Sequence, residues 1–140
     1  MRNLDIQIKD DQLPTLDQVL SLYQDVGWTA YTKAPHVLWE GLKCSLKVWT
    51  AWQGDQLVGL ARVVGDGKTI VYLQDLLVLE AYQRQGVGSS LLELVVATYR
   101  SVRQIILLSD DTSESGQFYE KNGFKPVSRK GCIAWIHEVS

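Results

Sequence analysis

Apolar and polar residues follow one another along this chain with two distinct periods, and the switches between them mark out most of the elements. Leu4 to Lys9 alternates apolar and polar and predicts a first strand. Pro14 and Thr15 open a segment with apolar residues at Leu16, Val19, Leu20, Leu22 and Tyr23, a broadly helical spacing that closes near Gly27. Gly27 to Pro35 carries Trp28 and Tyr31 between its glycine and its proline and reads as a shaped loop. A second helix candidate runs from about His36 to Leu46. Leu46 to Trp52 and Leu57 to Val64, joined by the polar Gln53-Gly54-Asp55-Gln56, predict a hairpin; Gly65-Asp66-Gly67-Lys68 turns the chain into a third consecutive strand.

The centre of the pattern lies between Ile70 and Arg100. The apolar run Ile70 to Leu79 is too short and too rich in Val, Ile and Tyr for a helix, and it meets the glycine turn Gln83-Arg84-Gln85-Gly86-Val87-Gly88. Beyond that turn, Leu91, Leu92, Val95, Val96 and Tyr99 fall on one helical face. Arg103 to Leu108 then predicts a buried strand, Ser113 to Asn122 a short helix ended by Gly123, and Ile133 to Glu138 a closing strand. The expected order is β α α β β β α β α β β, a mixed α/β sheet with helices on both faces.

A strand, a glycine loop and a helix start in direct succession have a chemical use. The first turn of a helix leaves backbone N–H groups without partners, and its aligned peptide dipoles make that end partly positive. Gly86 and Gly88 lack side chains that would hold a phosphate away from those amides, Ser89 and Ser90 add hydroxyl donors, and Arg84 adds a charge. The same glycines also suit a plain tight turn, so context must decide. A mononucleotide P-loop is excluded because no lysine follows the glycines, and a dinucleotide fingerprint because Leu91 stands where its third glycine belongs.

Composition narrows the classes further. A chain of 140 residues, 46% apolar and 21% charged, suits one ordinary globular domain spanning 1–140. Fourteen basic against 16 acidic residues, a net charge of -2, give no footprint for nucleic acid or an anionic membrane. Apolar runs such as Leu76 to Leu79 are far too short to span a membrane, and Asp5, Lys9, Asp10 and Asp11 stand where a signal peptide would be apolar, so a cytoplasmic protein is expected. Two cysteines and two histidines show no metal-ligand spacing. Cys132 and His137 lie an odd number of residues apart in a predicted strand and so face opposite ways. His36 and Cys44 would be about 12 Å apart along a helix. Neither pair makes a nucleophilic dyad locally.

Gln83-x-x-Gly86-x-Gly88 after an apolar strand, followed at the right distance by Gln117-Phe118-Tyr119-Glu120-Lys121-Asn122-Gly123-Phe124, resembles the GCN5-related N-acetyltransferase (GNAT) family, whose motifs are [Gln/Arg]-x-x-Gly-x-[Gly/Ala] and Phe-Tyr-x-x-x-Gly-Phe. The resemblance covers nearly the whole chain, least specifically before Lys47. It implies the GNAT acyl-CoA fold, a mostly antiparallel central sheet with splayed strands and helices on both faces, and acetyl-CoA as cofactor. The Gln83, Arg84, Gln85, Gly86, Val87, Gly88, Ser89 and Ser90 loop would take the phosphates. The backbone of Leu76, Leu77 and Val78 would face pantetheine and the acetyl carbonyl, binding its amides as an added strand would. Thr112, where the family often has asparagine, and Ser115 would also contact the cofactor. Tyr119 matches the tyrosine that commonly protonates the departing thiolate, although beside Phe118 it also suits a core aromatic.

An alkylamine must lose a proton before it can attack, and many relatives place an acidic pair on the organising strand for this. Here the pair is Gln74-Asp75. An amide cannot take a proton, which leaves Asp75 as the candidate base, acting through water; otherwise the base lies elsewhere, with Glu40 a candidate, and Asp75 has a structural hydrogen-bonding role. On a regular strand Asp75 would face away from Gln74. Trp28, Tyr31 and Gln74 are the candidate acceptor contacts, since aromatic faces attract cations and stack on aryl groups, whereas Trp39 suits the core. The sequence thus points to an N-acetyltransferase acting on a small primary amine by direct attack in a ternary complex. The alternatives are a protein acetyltransferase acting on a lysine or an N-terminus, or a non-catalytic acyl-CoA-binding module. Exposed aromatics or an unpaired closing strand could pair two copies into a homodimer.

Overall fold

The computed structural model describes residues 5–139, which fall into two compact units, one running to Leu108 and the other starting at Ser109. The first unit holds a five-stranded sheet in the order β1-β2-β3-β4-β5. Its strands are β1 (Ile6–Lys9), β2 (Lys47–Gln53), β3 (Gln56–Gly65), β4 (Ile70–Val78) and β5 (Gln104–Leu107). The first four are successively antiparallel, and β5 joins β4 in parallel after the helical crossover α4 (Val87–Thr98). The sequence places all five, although Leu4, expected in β1, lies outside the described residues.

Between β1 and β2 stand α1 (Leu16–Asp25), the one-turn helix α2 (Thr29–Thr32) and α3 (Pro35–Lys43). Thr15 caps α1 through a capping box, its hydroxyl accepting from the Gln18 amide while the Gln18 side chain accepts from the Thr15 amide. The predicted loop from Gly27 to Pro35 therefore contains a helical turn of its own, too short to show a period. The main core joins Val19, Leu22 and Tyr23 of α1 and Leu38 and Leu42 of α3 to Leu57, Leu60 and Leu77 of the sheet. Trp39 packs partly buried against this cluster, as the sequence suggests.

On the other sheet face, α4 lies against Gly59: a Cβ there would meet Leu91 Cδ1 at 3.2 Å and Val87 Cγ1 at 3.3 Å. Helices thus cover both faces, and the missing side chain at Gly59 lets the start of α4 settle close to the strands. With Val87 and Leu91 almost wholly buried, that start is fixed in position.

The second unit contains α5 (Ser113–Lys121), capped by the Thr112 hydroxyl on the Ser115 amide, and a 3₁₀ turn at Val127–Lys130. The expected closing strand at Ile133 to Glu138 is not formed, and neither is a second strand after α5. Ile133, Trp135, Ile136 and Val139 are largely exposed there. The pattern alone suggested a strand, but among the described residues no ladder partner supplies the hydrogen bonds that would turn an extended apolar segment into one.

Candidate active site

The glycine turn is built by its own side chains. After a single 3₁₀ turn at Glu80–Tyr82, the Gln83 side chain donates to the Val78 carbonyl at 3.0 Å and the Gln85 side chain donates to the Ala81 carbonyl at 3.2 Å. The Gln83 amide therefore braces the loop against the end of β4, and the Gln85 amide ties it to the 3₁₀ turn. Arg84 adopts φ 62°, costly for a residue with a Cβ, and Gly86 follows at φ 88° as the N-cap of α4. No side chain caps this helix, and a Cβ added at Gly86 would meet nothing within 4 Å. The first intrahelical bond at this end is Ser90 N to Gly86 O at 3.0 Å. The amides ahead of it, at Val87, Gly88 and Ser89, belong to the first turn of the helix, the part that an anion would meet. These residues fit a phosphate-bearing cofactor.

β4 supplies the second part of the site. Its ladder with β5 covers only Ile70 to Leu73, so Gln74 to Val78 continues with β3 on one side and no β5 partner on the other. Leu79 N donates to Val58 O, which sets the alternation along this antiparallel pair: Leu77 points its N–H and C=O at β3, and Leu76 and Val78 point theirs away. The Val78 carbonyl is the one Gln83 takes up. The splayed edge thus offers the N–H and C=O of Leu76 and the N–H of Val78, while Leu77 serves the sheet and the core.

The register of β3 against β4 passes from Arg62 opposite Asp75 to Val63 opposite Leu73, so Gln74 is an extra residue, a β-bulge. The regular alternation expected for Gln74 and Asp75 is broken there. Tyr31 Oη reaches both: it donates to Asp75 Oδ1 at 3.0 Å and accepts from Gln74 Nε2 at 2.8 Å.

Asp75 is buried. Its Oδ2 accepts from Arg62 Nε at 2.7 Å and from Tyr23 Oη at 2.8 Å. Arg62 in turn donates to Ser45 Oγ at 3.2 Å and to the Gly41 carbonyl at 3.4 Å, at the end of α3. Burial, reinforced by the Asp75 charge, raises the Tyr23 hydroxyl far above the ordinary tyrosine range and raises Tyr31 as well. Both tyrosines are therefore firm donors. This constellation gives Asp75 the surroundings of a structural acceptor, held by three donors in the core. Glu40, the other candidate base, pairs with Lys43 at 2.8 Å on the exposed surface of α3.

Trp28 and Tyr31 stand together, tilted to each other with ring centroids 6.2 Å apart, and each packs edge-on against Tyr23. Tyr23 and Arg62 were not singled out from the sequence. The available signal was a lone arginine within the apolar run Leu57 to Val64, because a charge in a buried strand needs a buried partner.

In the second unit, Tyr119 lies on α5 between Phe118, at 5.0 Å, and Phe124, at 6.1 Å, both edge-on. Burial, then the Asp110 charge, raises its hydroxyl above the ordinary value. The Thr112 hydroxyl and the Ser115 amide are joined to each other by the helix cap.

An opened strand edge beside a glycine-started helix describes a class of mixed α/β protein suited to a cofactor with both phosphates and amides. A family model described as an acetyltransferase (GNAT) domain matches residues 45–126. A GNAT-family acetyltransferase from Streptococcus pneumoniae TIGR4 is 39% identical over 96% of this chain and 98% of its own, with a TM-score of 0.86. The chain belongs to the GNAT acetyltransferase family. A protein of unknown function from meticillin-resistant Staphylococcus aureus is 28% identical, covers 95% of this chain and 99% of its own, and has a TM-score of 0.79. An aminoglycoside N-acetyltransferase in complex with CoA shares the fold at 17% identity, covering 99% of this chain and 97% of its own, with a TM-score of 0.73. Among the described residues no helix is long and apolar enough to cross a membrane.

Proposed function

We propose that the protein is an acetyl-CoA-dependent N-acetyltransferase of the cytoplasm that acetylates a primary amine of a small molecule by direct attack in a ternary complex. The observation that carries this reading is the open start of α4 at Gly86, braced through Gln83 to the splayed edge of β4, in a chain of the GNAT family. Val87, Gly88 and Ser89 amides, with the Ser89 and Ser90 hydroxyls and Arg84, would hold the phosphates, and the Leu76 and Val78 backbone would hold the pantetheine amides. Bound acetyl-CoA supplies an activated acyl thioester whose thiol departs when an amine adds.

Tyr119 donates the proton that the departing sulfur needs; a hydroxyl held above its ordinary range stays protonated for that task at neutral pH. Trp28 and Tyr31 receive the acceptor, and their paired rings favour an organic cation or an aryl group. No side-chain pair among Cys44, Cys132, His36 and His137 reads as a nucleophile and its base, which favours direct transfer over a covalent acyl-enzyme.

The test is thiol release from acetyl-CoA with arylalkylamines, polyamines, aminoglycosides, free amino acids and short peptides, run with the parent and Tyr119→Phe. Release with one class of small amine, lost in the variant, supports the reading. Release with peptides alone would replace it with protein acetylation. Tight acetyl-CoA binding without release for any acceptor would replace it with a binding module.

A further inference from the structure

The hydrogen bonds around Asp75 have a direction. As the carboxylate partner of Arg62, Asp75 only accepts. It takes Arg62 Nε and Tyr23 Oη on Oδ2 and Tyr31 Oη on Oδ1. Tyr31 has one proton, and it is committed to Asp75, so toward Gln74 the phenol offers only a lone pair. Gln74 must then turn its amide nitrogen to Tyr31, where Nε2 stands at 2.8 Å, and its Oε1 becomes the outward end of an exposed side chain. The bulge at Gln74 makes this possible, because a regular strand would set Gln74 and Asp75 on opposite faces, out of reach of one hydroxyl.

The geometry points to Gln74 as the residue that positions the acceptor, its Oε1 taking an N–H of the primary amine, with Tyr31 and Asp75 as positioning residues that fix which end of the amide faces out. This rests on the reading of the protein as an amine acetyltransferase. An amide oxygen accepts an N–H without removing the proton, so the contact orients the amine and leaves its lone pair for attack. The Tyr31 ring bears the hydroxyl that Gln74 meets, with the Trp28 ring 6.2 Å from it, and these two rings would take the apolar part of the acceptor. The Asp75 charge is met inside the core by Arg62, so the outward group is a neutral dipole. An acceptor is selected as an N–H donor carrying an aryl or alkyl body.

The polarity of the relay can be reversed by one atom. In Asp75→Asn, Arg62 and Tyr23 still demand an oxygen at the Oδ2 position, which puts the new amide nitrogen against Tyr31. Tyr31 then turns its proton to Gln74, and Gln74 turns its nitrogen outward, where two donors would meet.

Two measurements test this. In the free parent protein, the Gln74 side-chain NH2 protons are expected to show nuclear Overhauser effects to the Tyr31 ring; their absence overturns the inference whatever the activity. In steady-state transfer to 2-phenylethylamine, spermidine and kanamycin, Gln74→Met is expected to raise the acceptor KM about tenfold with the acetyl-CoA KM unchanged, the loss of one hydrogen bond to an amine. Asp75→Asn should match that rise, and Tyr31→Phe/Gln74→Met should be no worse than Gln74→Met alone, since the two act as one unit. An unchanged acceptor KM in Gln74→Met overturns the inference even if Asp75→Asn fails to fold. A parent that releases no thiol with any acceptor sinks the acetyltransferase reading, and the Overhauser measurement then decides the orientation by itself.

Discussion

Arg62 and Asp75 face each other across β3 and β4 as a buried ion pair, Nε to Oδ2 at 2.7 Å, with side chains 9% and 2% exposed. Taking both charges out of water is costly, and the pair is tolerable because each member has further partners: two tyrosines on Asp75, Ser45 and the Gly41 carbonyl on Arg62. Removing one member strands the other. Arg62→Met should therefore destabilise the fold by about 3 to 5 kcal/mol. Urea unfolding would measure it, and Arg62→Met/Asp75→Leu should recover part of the loss, because an apolar pair leaves no orphan charge. A midpoint unchanged in the single variant would show that the pair contributes nothing.

Gly86 tests the phosphate seat apart from the acceptor end. Its φ of 88° lies where a residue with a Cβ is strained by roughly 1–2 kcal/mol, yet no neighbour stands in the way of that Cβ. Gly86→Ala should consequently fold with slightly reduced stability and with a methyl on the face that meets the phosphates. The expected outcome is a raised KM for acetyl-CoA at a constant acceptor KM, and a larger rise for Gly86→Val. Equal rises in both constants would place the anion elsewhere.

The apolar periods made β2, β3, β4, α4 and β5 legible, because each has a buried face and a turn at its end. The glycine turn and the helix start behind it were legible too, since the residues that make them are consecutive. The cluster around Asp75 was legible only in part: Tyr31, Gln74 and Asp75 were named, but Tyr23 and Arg62 and the way they meet were not, because these residues come from four elements brought together at a single extra residue in β4. A bulge leaves no mark in a pattern of hydrophobic positions when the inserted residue is polar, as Gln74 is. The C-terminal segment shows the opposite failure. Ile133 to Glu138 has the composition of a strand, but strands are completed by partners, which composition does not supply.

The turn before β4 is held by a side chain with an acid-sensitive charge. Asp66 accepts the backbone amides of Lys68, Thr69 and Ile70 and the Thr69 hydroxyl, at 2.7 to 3.1 Å. Those donors, Lys68 first among them, hold its carboxyl well below the usual carboxylate range. A depressed folded value gives a contribution that is complete above the unfolded value of about 3.9 and is lost as pH falls through the folded one. Asp66→Asn should thus have a lower Tm than the parent at neutral pH, and the gap should narrow on acidification. A gap that stays constant down to strongly acid pH would mean that the charge is immaterial and only the turn geometry counts.

Tyr119 makes the sharpest prediction about the chemistry. Its hydroxyl is raised first by burial and then by the Asp110 charge, so the acid form persists through neutral and mildly alkaline pH. If this proton goes to the leaving sulfur, Tyr119→Phe should lower kcat at least about tenfold with acetyl-CoA binding little changed. In the parent, the fall in kcat assigned to tyrosine ionisation should lie above the ordinary value of about 10. Asp110→Asn removes one of the two causes and should move that fall toward lower pH, whereas Tyr119→Phe should abolish it. A phenylalanine variant with parental kcat would make Tyr119 a packing residue between Phe118 and Phe124, and the proton would then have to come from water.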